Sequence, residues 1–181
     1  MPWYAYAILI VGVVVWFTPF VPAHRKTGPA RTIDPRSRWG VLLQFVAYTL
    51  LWQGRFWMRP LPLWRTCVSV LLFAVAGLLS WTSSRALAGQ LRVVAALGSE
   101  DKLVRSGPYH LVRHPIYTSM LCVLCATAVI IAPWQLFAVS LLLWIVGTEI
   151  RVRSEERLLA SRFGEEFQKY KAGVSSYVPF I

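Results

Sequence analysis

Charge is scarce in this chain, and negative charge is scarcest. Only 15% of the 181 residues are charged, and eight acidic side chains face nineteen Lys and Arg, a formal net charge of +11. With 56% hydrophobic residues and nine Trp, the composition excludes a soluble domain of ordinary surface-to-volume ratio. Cysteine is also rare: Cys67, Cys122 and Cys125 all lie in apolar segments, which excludes a secreted disulfide framework. Cys122 and Cys125 form a C-x-x-C with no His or second pair nearby, and such a pair reads as packing rather than as a metal or redox centre. No G-x-G occurs anywhere, so the Rossmann fingerprint and related glycine-rich nucleotide loops are absent. A P-loop, a G-x-S-x-G elbow and an H-E-x-x-H pair are missing too, as are internal repeats and low-complexity segments.

What the chain has instead is long charge-free runs. Residues 3–21 and 66–84 are nineteen residues each without a formal charge, and residues 39–54 are sixteen; nineteen residues of helix nearly cross a hydrocarbon layer of about 30 Å. Residues 116–148 are thirty-three uncharged residues interrupted by Ala132, Pro133 and Trp134, too long for one crossing. This run predicts a helical hairpin turning at Pro133, its second arm extending into the charged residues from Glu149. The expectation is an all-α polytopic integral membrane protein of about five transmembrane helices, the last two a hairpin, followed by a cytoplasmic C-terminal amphipathic helix. The chain reads as a single membrane domain, 1–181, with an N-terminal three-helix part (1–95) and a polar, chemistry-bearing part (96–181).

The basic residues supply an independent test. Arg25, Lys26, Arg31, Arg36 and Arg38 fall between the first two runs, Arg85, Arg92, Lys102, Arg105 and Arg113 between the third and fourth, and six more between Arg151 and Lys171. That makes sixteen on one side against Arg55, Arg59 and Arg65 on the other. The positive-inside rule then places the N-terminus outside and the C-terminus in the cytoplasm. All eight acidic residues share the cytoplasmic side, pointing to an organised polar site beyond contact with anionic lipid. The first run lacks a preceding basic region and a clear cleavage signal, and is read as a retained helix. The short chain and minimal loops point to a bacterial plasma membrane, with the endoplasmic reticulum as the alternative.

Chemistry gathers in two segments that the hairpin brings together. GPYHLVRHPIYTSM, residues 107–120, packs two His, one Arg, two Tyr and two Pro against the fourth apolar run. Pro115 suits the first position of a helix and disfavours helical geometry at His114. The fourth helix would then start at the membrane edge with unpaired N–H groups and a positive dipole end, able to bind a carboxylate or phosphate. EIRVRSEERLLASRFGEEFQKY, residues 149–170, carries charges four apart, Glu149 with Arg153 and Arg151 with Glu155, which also suit plain surface ion pairs. Leu158, Leu159, Phe163 and Phe167 give it an apolar side, and Gly164 marks an end or a bend.

LVRSGPYHLVRHPIY (103–117), followed after a hairpin by RVRSEERLLASRFGEEFQKY (151–170), resembles the isoprenylcysteine carboxyl methyltransferase family of integral membrane enzymes and the related phospholipid methyltransferases. The similarity covers about residues 103–179. The resemblance implies S-adenosylmethionine as methyl donor, with Leu103, Val104, Gly107, Pro108, Tyr109, His114 and Tyr117 as the cofactor-binding motif and Glu155 as a further contact. Arg151 and Glu156 are implied as the reaction-centre pair, and His110 has no implied role. Ser119 stands where the family often has glycine. Methyl transfer from a sulfonium needs alignment and exclusion of water more than elaborate acid–base groups. Arg151 suits an anionic acceptor such as a carboxylate, whereas an amine acceptor needs a base, a role open to Glu156.

The expectation is therefore methylation of a lipophilic acceptor entering from the bilayer, isoprenylcysteine-carboxylate-like O-methylation first, with phospholipid or small-metabolite N-methylation as the alternative. An NADPH-dependent lipid or sterol reductase and a non-catalytic lipid-anchored protein are weaker readings. Membrane lipids are expected partners and nucleic acid is not; no metal ligands are assigned.

Overall fold

The computed structural model describes residues 2–21, 32–54, 61–87, 95–97 and 101–178. Among them run six α-helices: α1 (Trp3–Phe17), α2 (Ser37–Leu51), α3 (Leu63–Leu87), α4 (Pro115–Ile131), α5 (Trp134–Phe163) and α6 (Glu165–Gly173), with a short 3₁₀ turn at Gly107–His110. The only strands among the described residues are two-residue segments, β1 (Thr32–Ile33) and β2 (Ala96–Leu97), paired antiparallel. The described residues are thus all-helical in substance. α3, at 25 residues, and α5, at 30, are long and apolar enough to cross a membrane; α1 and α4 are apolar but shorter. Arg25, Lys26, Arg31, Arg55, Arg59 and Arg92, which carry part of the sidedness expectation, lie outside the described residues.

The hairpin forms where the sequence puts it. α4 starts at Pro115 and stops at Ile131, Ala132 and Pro133 are extended, and α5 begins at Trp134. Proline at the first helical position loses no hydrogen bond, because that N–H has no partner in the helix. α5 then runs on through its charged half to Phe163 and ends at Gly164, whose φ of 51° and ψ of −126° suit only glycine.

The helices turn large apolar side chains outward: Trp3, Leu63, Trp134, Phe45 and Leu78 are each at least 67% exposed. Inside, small polar residues accompany a core of Leu51, Leu124, Ile131 and Trp144, with Ser69, Ser80, Ser119, Ser140 and Thr148 fully buried. Small-inside, oily-outside packing is what a lipid solvent favours. Hydrogen bonds stitch the interior: Ser69 Oγ donates to the Ala126 carbonyl at 3.0 Å, Tyr48 Oη to the Met120 carbonyl at 2.6 Å, and Trp16 Nε1 to Ser119 Oγ at 3.0 Å. Ser119, at a place where glycine is frequent in the family, therefore bonds α4 to α1.

α4 packs chiefly on α3, and α5 chiefly on α2. The two arms of the hairpin consequently lean away from one another onto different supports, which leaves room between their polar ends. α2 meets α5 at a glycine-to-glycine crossing: a Cβ on Gly40 would lie 2.4 Å from the Gly147 carbonyl oxygen, and one on Gly147 would lie 2.8 Å from that of Gly40.

Candidate active site

A cavity of about 180 Å³ opens between the polar ends of α4 and α5. Its walls come from several stretches of the chain, among them Leu87 at the end of α3 and Ala95 and Ala96 at β2. The extended segment before the 3₁₀ turn contributes Asp101, Lys102, Leu103 and Val104; the turn contributes Tyr109; the start of α4 contributes Arg113, His114, Ile116 and Tyr117. α5 supplies Arg151, Glu155, Leu158 and Leu159, and α6 closes the remaining side with Phe167 and Tyr170.

Glu155 lies in the charged half of α5, beyond its apolar run, and joins the two helices. Its carboxylate accepts a hydrogen bond from Tyr117 Oη and stands 3.3 Å from His114 Nδ1. Burial would raise the Glu155 carboxyl, but the His114 contact, the Arg151 charge and the Tyr117 hydroxyl outweigh it and hold it below its ordinary value. His114 shows the complementary balance: burial favours the neutral ring, but the nearby carboxylates of Glu155 and Glu156 prevail and raise its pKa. Burial keeps the Tyr109 phenol protonated, well above the usual range.

Arg151 is buried, and its guanidinium lies over the Tyr117 ring at 4.8 Å from the centroid. Its Nη1 donates to Gln44 Oε1 on α2 at 2.7 Å. Gln44 was missed in the sequence reading. The signal that marks it is an amide well inside the charge-free run 39–54, unlike Gln53 at the edge of that run, since polar groups at membrane depth are costly unless partnered.

Glu156 faces a different set of groups and does not line the cavity. Its Oε1 lies 2.8 Å from Arg113 Nη2 and 3.5 Å from His114 Nε2, and its Oε2 lies 2.6 Å from Lys171 Nζ. Burial would raise this carboxyl too; His114, Lys171 and Arg113 instead hold it down at about 2. Arg113 Nη1 donates as well to the Lys171 carbonyl at 3.2 Å and to that of Val174.

The segment after α6 straps the start of α4. The Arg113 and His114 N–H groups donate to the Ser175 and Ser176 carbonyls at 2.8 and 2.9 Å, and Thr118 Oγ1 donates to the Tyr177 carbonyl at 2.6 Å. Two main-chain donors beside the helix start, expected to be open for an anion, are thus taken by the chain itself. Of the residues implied to hold the cofactor, Leu103, Val104, Tyr109, His114, Tyr117 and Glu155 share the cavity with Arg151. Gly107 and Pro108 form the turn behind it, where Gly107 adopts φ 61° and a Cβ would meet Ala86 at 3.8 Å.

The fold and cavity define a helical membrane protein with a water-accessible polar cup under an apolar bundle. Residues 64–166 match the phospholipid methyltransferase family. Three relatives illustrate the range. A probable protein-S-isoprenylcysteine O-methyltransferase of Oryza sativa is 36% identical over 45% of this chain and 43% of its own length. The cobalt-zinc-cadmium resistance protein CzcN of Cupriavidus metallidurans is 30% identical over 87% of this chain and 72% of its own. Methanethiol S-methyltransferase 1 of Bradyrhizobium diazoefficiens is 36% identical over 40% and 24%. The chain thus spans less than half of the rice protein it matches. It belongs to the phospholipid methyltransferase family, within which its paired motifs align it with the isoprenylcysteine carboxyl methyltransferases.

Proposed function

We propose that the protein is an S-adenosylmethionine-dependent integral membrane methyltransferase that modifies a lipophilic, anionic acceptor, O-methylation of an isoprenylcysteine-like carboxylate being the reading the geometry favours. One observation carries it: the cavity places an aromatic and carboxylate wall, Tyr109, Tyr117, Phe167, Tyr170 and Glu155, beside a buried arginine, Arg151. The donor set fits the cofactor. Aromatic faces attract a sulfonium cation, Leu103, Val104, Leu158 and Leu159 offer an apolar bed for an adenine ring, and Glu155 accepts hydrogen bonds from ammonium or ribose donors.

When bound, S-adenosylmethionine supplies an electrophilic methyl group with a neutral thioether as leaving group. The protein has then to align the acceptor and keep water out. Arg151 can hold a carboxylate by paired hydrogen bonds without protonating it. Glu156, held at about 2 by three cationic partners, is too weak a base to deprotonate an ammonium acceptor. This favours an anionic acceptor over an amine, and in this reading Glu156 serves by fixing Arg113, His114 and Lys171. Five crossings, formed by α1 to α5, with a cytoplasmic C-terminus in a bacterial plasma membrane, complete the proposal.

Purified protein supplied with methyl-labelled cofactor and N-acetyl-S-farnesylcysteine tests it. Label released by mild base marks an ester and supports the proposal; label transferred to phosphatidylethanolamine as a stable N-methyl group refutes it. Arg151→Ala should lower kcat/KM by roughly 100-fold or more. Thermal protection by S-adenosylhomocysteine and not by NADPH separates the enzyme from a reductase.

A further inference from the structure

We propose that Gln44, in the N-terminal part of the chain and outside the matched residues 64–166, is a positioning residue that sets Arg151 for the acceptor; this rests on the methyl-transfer reading above. Gln44 is 2% exposed and bonded at both ends of its amide: Oε1 accepts from Arg151 Nη1 at 2.7 Å, and Nε2 donates to Thr148 Oγ1 at 2.8 Å. The guanidinium can only donate, which fixes the amide oxygen toward it, and the hydroxyl of Thr148, one turn before Arg151 and fully buried, takes the amide nitrogen. The oxygen is thereby committed to the guanidinium.

The backbone is arranged to permit this reach. Gly40, one turn before Gln44, and Gly147, one turn before Arg151, bring α2 and α5 into main-chain contact, and a Cβ on Gly40 would also lie 2.5 Å from Arg151 Cγ. A larger residue at either glycine would drive the helices apart and stretch the amide-to-guanidinium bond. The Tyr117 ring bounds the guanidinium on another side, and Glu155 supplies a nearby negative charge that is shared with His114 and Tyr117. Gln44 therefore adds a rigid hold on Arg151 without adding a second negative charge. A guanidinium held by a neutral acceptor keeps its attraction for an anionic ligand, whereas a carboxylate at position 44 would satisfy it.

Two variants separate hold from charge. Gln44→Met keeps length and volume but removes the hydrogen bonds; Gln44→Glu keeps an acceptor oxygen and adds charge. With the purified full chain, S-adenosylhomocysteine affinity and N-acetyl-S-farnesylcysteine kinetics are measured for each. Gln44→Met should lower acceptor kcat/KM by about tenfold, with the S-adenosylhomocysteine Kd within about twofold of the starting protein. Gln44→Glu should keep the melting temperature of the starting protein but raise the acceptor KM more than it lowers kcat.

A thermal double-mutant cycle of Gln44→Met with Arg151→Leu reads the contact without any turnover. The double variant should lose less melting temperature than the two single losses combined, by about 2 °C or more. Additive losses, unchanged acceptor kinetics in Gln44→Met, or a parallel loss of donor and acceptor affinity overturns the proposal. A strong non-additive cycle in a protein that neither binds S-adenosylhomocysteine nor methylates N-acetyl-S-farnesylcysteine would instead overturn the methyl-transfer reading and with it the catalytic role of Gln44.

Discussion

At the residue scale, two adjacent glutamates on one helix do different work because their neighbours differ. Glu155 faces the cavity through His114 and Tyr117, while Glu156 binds Arg113 and Lys171. Glu156→Ala would leave the largely buried Arg113 without its carboxylate and remove one of the two facing His114, and breaking a pair of that burial costs about 3 kcal/mol; denaturant titration in detergent should show it. The pH dependence follows from the shifts. Glu156 is depressed from 4.5 to about 2, so its contribution is fully present above pH 4.5 and lost as pH falls toward 2. The stability gap between the protein and Glu156→Gln should therefore close over that window. His114 is raised above 6.5, so its contribution is complete below 6.5 and disappears as pH rises through the elevated value. In Glu155→Gln, with one of its two carboxylate partners gone, the His114 titration followed by NMR should move down, and S-adenosylhomocysteine binding should weaken about tenfold.

At the element scale, two glycines make a controlled comparison. Gly164 sits at φ 51° with nothing within 4 Å of a Cβ, whereas the Gly40 site is filled by Gly147 and Arg151. Gly164→Ala should cost roughly 1–3 kcal/mol from backbone strain alone, and leave methyl transfer nearly intact unless α6 swings away from the cavity. Gly40→Ala should cost a similar 1–3 kcal/mol by overpacking and reduce acceptor turnover as well, because it displaces the Arg151 support. The helices themselves were largely legible: charge-free runs at 3–21, 39–54 and 66–84 correspond to α1, α2 and α3, and Pro133 to the hairpin turn. Their ends were less so, since α3 runs from Leu63 to Leu87, and Arg65 and Arg85 lie within the helix where the charge criterion stopped short of them. Long cationic side chains can remain helical while lying over Trp64 and Trp81.

At the scale of the whole molecule, the sequence showed which polar segments converge but not what supports them. The pairing of residues 96–117 with 149–170 followed from the hairpin, and His114, Tyr117, Arg151 and Glu155 do meet at one cavity. The Gln44 to Arg151 contact, the Trp16 to Ser119 bond and the tail over α4 were not legible, because each joins residues more than fifty positions apart. The proposed sidedness is checked by maleimide labelling of Gly173→Cys in inverted and right-side-out vesicles, with reaction expected only from the cytoplasmic face. The strap at 174–177 also bears on biogenesis. Because the Ser175 and Ser176 carbonyls take the amide hydrogens of Arg113 and His114, the start of α4 is locked by residues translated after α1 to α6. A released chain truncated after Gly173 should still insert α1 to α5 yet retain S-adenosylhomocysteine poorly, so that closure of the cup is a step that follows insertion of those helices.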